Sequence, residues 1–237
     1  MFCLPYAGGS AAMYNKWYGV CSGHIRLIPV ELAGRGRRIN EPLYGSVEET
    51  VEDVYNIIKG QVRRDQPYIL FGHSMGAYLA YQVAQKIRRN GLPLPFHVFF
   101  SGRGAPHSRN ISKKIYHTME MEEFKQEILQ LGGTPREFFD HPELVEYLLP
   151  VLRNDFRITE SVLPSEEIDP LDCDITIFTG KEEDEMEADD IHGWRLHTKS
   201  VCHIHYFNGG HFFIIDHTER IVGIINNVCA VLKGRMH

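Results

Sequence analysis

Gly72-His73-Ser74-Met75-Gly76 is the stretch on which the reading of this chain turns. It fits G-x-S-x-G, a turn that lifts a serine hydroxyl off the end of a strand and aims it at a carbonyl carbon. Before it, Pro67-Tyr68-Ile69-Leu70-Phe71 is a short apolar run of the kind that forms a buried strand. After it, Met75, Leu79, Val83 and Ile87 recur every fourth residue, a helical stripe. The helix is expected to stop at Asn90-Gly91, with Arg88 and Arg89 in the last turn, where cations suit the helix dipole. Such a turn is strained and crowded, so a side chain at Gly72 or Gly76 would strike neighbouring backbone. The alternative is an ordinary strand-to-helix turn that happens to carry a serine.

A chain of 237 residues is long enough for one large α/β domain with a full core. An apolar fraction of 43% and a charged fraction of 24% are those of a water-soluble globule. A net charge of −6 supplies no basic field for nucleic acid. The five cysteines are scattered and form no C-x-x-C pair, which indicates neither a disulfide framework nor a zinc site. Reduced thiols in a cytoplasm are the simpler account. No signal peptide and no membrane span is legible.

Along the chain, Met1-Phe2-Cys3-Leu4 reads as the end of a strand running into Pro5-Tyr6-Ala7-Gly8-Gly9-Ser10, a loop whose backbone N–H groups can face an anion. A sheet of this type usually has more chain before this loop, so a shortened or trimmed first strand is expected. A short helix is expected over 13–18 and a strand over 25–30. A glycine- and arginine-rich loop follows, with neither P-loop nor dinucleotide spacing. It is either a solvated loop or a basic patch near the site mouth. Ser46-Val47-Glu48-Glu49 fits a capping box, opening a helix whose buried face carries Val47, Val51, Val54, Ile57 and Ile58. Another strand is expected over 96–100. Over about 112–163 strand signals vanish, and three amphipathic helices are expected at 121–131, 135–139 and 142–158. That insertion is a candidate lid over the serine. Strands resume at 173–180 and 201–207, with helices at 191–197 and 221–232. The order implies a mostly parallel sheet covered by helices on both faces, with a helical insertion.

A serine hydroxyl needs a histidine to take its proton and a carboxylate to orient that histidine, in the chain order Ser, acid, His. His211 follows two glycines directly after the last strand, at the sheet edge where Ser74 emerges. His203 and His205 lie within that strand and are expected to be structural. His197 and His217 are expected to be helical or exposed, and His73 to point away from the hydroxyl. Glu182, Glu183, Asp184 and Glu185 all qualify by position as the acid, and the pattern alone does not separate them. An oxyanion hole needs two backbone N–H groups, one from Met75 and one from the loop after the first strand, where Ala7 is the best donor.

Together these segments resemble the type II thioesterases, free-standing editing hydrolases of polyketide and nonribosomal peptide synthesis. Leu4-Pro5-Tyr6-Ala7-Gly8-Gly9-Ser10 is similar to their opening loop, and Gly34-Arg35-Gly36-Arg37-Arg38 to their P-G-R-G-x-R segment with a variant start. Leu131-Gly132-Gly133-Thr134-Pro135 and Leu149-Pro150-Val151-Leu152-Arg153-Asn154-Asp155 are similar to their lid signatures, and Gly209-Gly210-His211-Phe212-Phe213 to their histidine loop. The resemblance spans almost the whole chain. It implies an α/β-hydrolase fold with Ser74 as nucleophile, His211 as base, and Ala7 and Met75 as oxyanion donors. The family usually has Asp three residues past the strand-ending glycine. Here an ungapped register puts Glu183 there, and a one-residue slip puts Asp184 there. The implied substrate is an acyl group on the phosphopantetheine thiol of a carrier protein. No metal or resident cofactor, no nucleic acid or membrane partner, a monomeric state and a cytoplasmic location are expected. Arg35, Arg37, Arg38, Lys113 or Lys114 would meet the carrier. A small-molecule carboxylesterase or lipase with the same triad is the alternative.

Overall fold

The computed structural model describes residues 1–108, 114–134, 136–162, 164, 167–183 and 186–235. Six strands form one sheet in which every pairing is parallel: β1 (Phe2–Leu4), β2 (Ile28–Pro29), β3 (Ile69–His73), β4 (His97–Ser101), β5 (Asp174–Gly180) and β6 (Cys202–Phe207). Their order is β2-β1-β3-β4-β5-β6.

A parallel sheet is buried on both faces, so its strands read as continuous apolar runs and alternate residues serve opposite cores. Leu70, Val98, Phe100, Ile175 and Ile177 join the core that holds Val54 and Ile58 of α1 (Val47–Lys59) and Leu79 and Val83 of α2 (Met75–Arg89). Ile69, Phe71, Phe99 and Phe178 join the other core, with Tyr14 and Trp17. That core also takes Ile221, Val222 and Ile225 of α7 (Thr218–Arg235). All four residues of the Met75 stripe are buried.

After β1 the chain crosses to one side for β2 and returns on the other side for β3. The carboxyl ends of β1 and β3 therefore flank a topological switch point, where open α/β sheets form their ligand crevice.

Several boundaries move. The second strand keeps only Ile28–Pro29 of the expected 25–30. The first helix is a 3-10 segment, Ala11–Gly19, led by Ser10, whose hydroxyl accepts from the Ala12 amide. Ser46 caps α1 through the Glu49 amide at 3.2 Å, but the Glu49 carboxylate turns to the Gly45 amide at 2.6 Å, so the box closes one residue early. The helix expected over 191–197 is α5 (Ala188–His192) continued by a 3-10 segment, Gly193–His197. A short α6 (Phe213–Asp216) precedes α7.

Between β4 and β5 lie a 3-10 turn (Tyr116–Thr118), α3 (Met121–Leu131), a second 3-10 turn (Arg136–Asp140) and α4 (Pro142–Glu160). The middle helix expected at 135–139 is thus a 3-10 turn. Pro135, and the expected limits Ser112 and Leu163, lie outside the described residues. Tyr116, Phe124 and Ile128 form a separate small core, against which Leu149, Leu152 and Phe156 of α4 pack.

Candidate active site

The turn from β3 into α2 places Ser74 at φ 55°, ψ −116°, the one positive φ outside glycine among the described residues. Strain of this kind persists only where the surroundings over-determine it. The Ser74 amide donates to the Ser101 carbonyl of β4 at 2.7 Å. A Cβ on Gly72 would lie 2.0 Å from the Gly76 carbonyl oxygen, and one on Gly76 would lie 2.3 Å from that of Leu4. Both glycines are therefore required by close backbone approach.

His211 lies within reach of the serine, its Nε2 2.9 Å from Ser74 Oγ. Its Nδ1 is 2.5 Å from Glu183 Oε1. The Glu183 side chain is 6% exposed, and its Oε2 is buried with no hydrogen-bond partner among the described residues. Glu182 points elsewhere: it is exposed, and its carboxylate accepts from the Gly209 amide. Asp184 and Glu185, the other sequence candidates, lie outside the described residues.

The loops carrying Glu183 and His211 are laced together. Lys181 N donates to Phe207 O at 2.8 Å and Glu182 N to Gly209 O at 3.2 Å.

The elbow histidine has a place of its own. His73 is fully buried, its Nδ1 2.9 Å from Ser101 Oγ and its ring 5.2 Å from that of His211. Burial, and then the neighbouring His211, hold its pKa well below the ordinary 6.5, which favours the neutral ring.

Ala7 and Met75 both line the cavity in front of Ser74. Neither amide has a hydrogen-bond partner among the described residues. Met75 is the first residue of α2, so its N–H also carries the positive end of the helix dipole. A hydroxyl, an imidazole, a carboxylate and two open amides around one cavity are the parts needed for nucleophilic acyl transfer.

A family model described as a thioesterase domain matches residues 1–229. The chain belongs to the thioesterase family. The structure of BorB, described as a type II thioesterase from the borrelidin biosynthetic cluster, is 32% identical, with a TM-score of 0.84 over 95% of this chain and 90% of that one. The crystal structure of ClbQ, from the colibactin NRPS/PKS pathway, is 35% identical, with a TM-score of 0.90 over 98% of this chain and 97% of that one. A Brevibacillus parabrevis protein named linear gramicidin dehydrogenase LgrE is 34% identical over 230 residues, 96% of this chain and 86% of its own. That name denotes a dehydrogenase, but the turn after β3 here is a serine elbow and not a dinucleotide fingerprint. The fold is the α/β-hydrolase fold of these neighbours.

The thioesterase's cavity measures about 440 Å³. Ser74 and His211 line it, as do Tyr78, Tyr116, Phe156 and Glu160. The last three come from the stretch between β4 and β5. Phe212, beside His211, meets the same stretch: a Cβ on Gly133 would lie 2.4 Å from the Phe212 ring. Glu160 accepts from the Tyr116 amide at 2.8 Å and pairs with His117, tying the end of α4 to the turn before α3.

Several sequence expectations change. Arg35 is not a surface cation: it is 1% exposed and paired with Asp155, so it cannot meet a carrier protein. Arg38 is tied to Asp53 and Glu41, and Arg37 is exposed. Lys114 pairs with Glu127 at the cavity wall, and Lys113 lies outside the described residues. His197 ends the 3-10 segment, in line with the helical alternative, and is buried with Tyr81 and His107 2.8 and 2.7 Å away. Local pattern contained no sign that Asp155 bonds the Gly8 amide or that Phe212 packs over Gly133, because both contacts join segments far apart in the chain. Among the described residues no group of side chains is disposed to hold a metal, and no helix is long and apolar enough to cross a membrane.

Proposed function

We propose that this thioesterase hydrolyses acyl groups from the phosphopantetheine thioester of acyl or peptidyl carrier proteins in polyketide or nonribosomal peptide biosynthesis. The observation that carries the chemistry is the line Glu183 Oε1, His211, Ser74 Oγ, with contacts of 2.5 and 2.9 Å. Ser74 Oγ attacks the thioester carbonyl carbon while His211 Nε2 takes its proton. The oxyanion of the tetrahedral intermediate is met by the amides of Ala7 and Met75. As the intermediate collapses, the C–S bond breaks, His211 returns the proton to the leaving sulfur, and an acyl-enzyme remains. A water deprotonated by His211 then attacks the ester, releasing a free acid and restoring the serine. Glu183 holds His211 in the tautomer with Nδ1 protonated and stabilises the imidazolium. These residues supply nucleophile, general base and acid, and oxyanion donors from one chain, so the reaction calls for no metal or resident cofactor, and a monomer suffices. A cytoplasmic location fits the free cysteines.

The helical stretch between β4 and β5 serves as the lid in this reading. Its aromatic side chains wall the cavity, and motion of α3 would admit the acyl arm. Protection of α3 from hydrogen exchange equal to that of β3 and β4, with and without carrier, would argue against the lid.

The deciding assay measures free acid released from a panel of acyl-loaded carrier proteins. The same acyl groups on coenzyme A and on a simple alcohol run alongside, with Ser74→Ala as control. A Ser74-dependent preference for carrier-bound thioesters supports the proposal. Activity confined to the alcohol esters would make the protein a carboxylesterase.

A further inference from the structure

The Arg35–Asp155 pair is too deeply buried and too specifically bonded to be a surface ornament. Both side chains are 1% exposed. Arg35 holds Asp155 through two parallel bonds, Nη1 to Oδ2 at 2.5 Å and Nη2 to Oδ1 at 2.8 Å. A buried pair of this kind is costly to desolvate and is weak evidence for stability in itself. What else it touches is therefore informative.

It touches the loop that carries Ala7. Asp155 Oδ2 also accepts from the Gly8 amide at 2.7 Å, and Arg35 Nη1 also donates to the Gly9 carbonyl at 3.1 Å. The carboxylate thus grips the Ala7–Gly8 peptide and the guanidinium grips the Gly9–Ser10 peptide. Between them the Gly9 amide turns back to the Tyr6 carbonyl at 2.9 Å. The N–H of a trans peptide points opposite to its C=O. With the Tyr6 oxygen drawn to Gly9, the Ala7 N–H of the same peptide plane is aimed the other way and left open among the described residues. Leu152, one turn before Asp155 on α4, closes the other side: a Cβ on Gly8, whose φ is +75°, would lie 2.5 Å from Leu152 Cδ1.

We propose that Arg35 and Asp155 are positioning residues that set the oxyanion loop, so that α4 of the helical insertion holds the Ala7 amide in its catalytic direction. This rests on the reading of Ala7 as an oxyanion donor and Ser74 as the nucleophile. Neither Arg35 nor Asp155 touches the reacting atoms.

The test compares wild type, Asp155→Asn, the double variant Arg35→Met/Asp155→Leu, and Ser74→Ala, by kcat and KM on one acyl thioester and by thermal melting. Asparagine loses the charge, and its NH2 group must face either Arg35 Nη2 or both Arg35 Nη1 and the Gly8 amide, so in either orientation a donor opposes a donor. The apolar pair removes the buried charges together, an exchange that is often neutral or stabilising. Asp155→Asn and the double variant are expected to lose about tenfold to a hundredfold in kcat, part of the cost of removing one oxyanion donor, with KM within about threefold. The double variant should regain the wild-type melting temperature without regaining kcat. Return of kcat together with melting temperature would show a purely structural pair and overturn the proposal, as would wild-type kcat in Asp155→Asn. If the double variant does not melt cooperatively, Asp155→Asn decides alone. An active Ser74→Ala would instead sink the underlying catalytic reading. An inert Ser74→Ala beside fully active Asp155 variants would sink only the role of the pair.

Discussion

A Cβ placed on Gly180 would stand 2.4 Å from the carbonyl oxygen of Gly209. The end of β5 and the loop after β6 therefore meet backbone to backbone, and this contact brings Glu183 to His211. Gly180→Ala should push the two loops apart. We expect a loss of about 1–3 kcal/mol in stability, the usual cost of overpacking, and a larger proportional fall in kcat. Urea unfolding beside steady-state kinetics measures both, and an alanine variant with wild-type midpoint and kcat would contradict the contact.

Glu183 is expected to be the acid that matters. Glu183→Gln keeps the shape but removes the charge that stabilises the His211 imidazolium and selects its tautomer. It should lower kcat by about 10²–10⁴ and leave KM nearly unchanged. Glu183→Asp, one methylene shorter, should fall between the two. Glu182→Gln should stay within a few-fold of wild type, since among the described residues its carboxylate accepts from the Gly209 amide and not from His211. Greater loss of kcat in Glu182→Gln than in Glu183→Gln would reverse the assignment.

Phe212 braces His211. Its ring lies 4.9 Å from that of Tyr6 and 5.1 Å from that of His211, and it fills the space over Gly133. Phe212→Ala should free His211 and detach the histidine loop from the helical insertion. The expected result is a fall in kcat of about tenfold or more with faster hydrogen exchange in α3, because a small misplacement of a catalytic group is costly. Unchanged exchange in α3 would show that the ring does not connect the two.

Stability should decline in mild acid. Burial lowers the pKa of His97 to about 4, from an ordinary value of 6.5. Burial, and then His107, lower that of His197 to about 4 as well. Both are neutral in the folded chain, whereas the unfolded chain takes up protons below about pH 6.5. Stability is therefore complete above that pH and is lost as pH falls toward 4, at up to about 1.4 kcal/mol per pH unit for each histidine. The urea midpoint should drop between pH 7 and pH 5, and His97→Gln should flatten part of the slope. A midpoint constant over that range would refute this account.

Much of this was legible before any coordinates. The Met75 stripe, the apolar strands and the glycines at 72 and 76 are local signals, since period and turn sterics act over a few residues. His211 could be placed by its position after the last strand. The pattern alone does not single out the acid, because four consecutive acidic residues share one loop; the family register points to Glu183, or with a one-residue slip to Asp184. Arg35 misleads for a related reason: an arginine in a glycine-rich loop looks solvated unless its partner, 120 residues away, is known to be there.

The sequence by itself determined the fold class, the serine elbow, the place of His211 after the last strand and the thioesterase family resemblance, because these depend on hydrophobic period, on backbone sterics and on motifs written in adjacent residues. Only the tertiary structure decided which carboxylate meets His211 and that Asp155 reaches across to the Ala7 loop. Those choices rest on where separate loops converge at the carboxyl edge of the sheet, and side-chain direction at a convergence is set by packing rather than by neighbours in the chain.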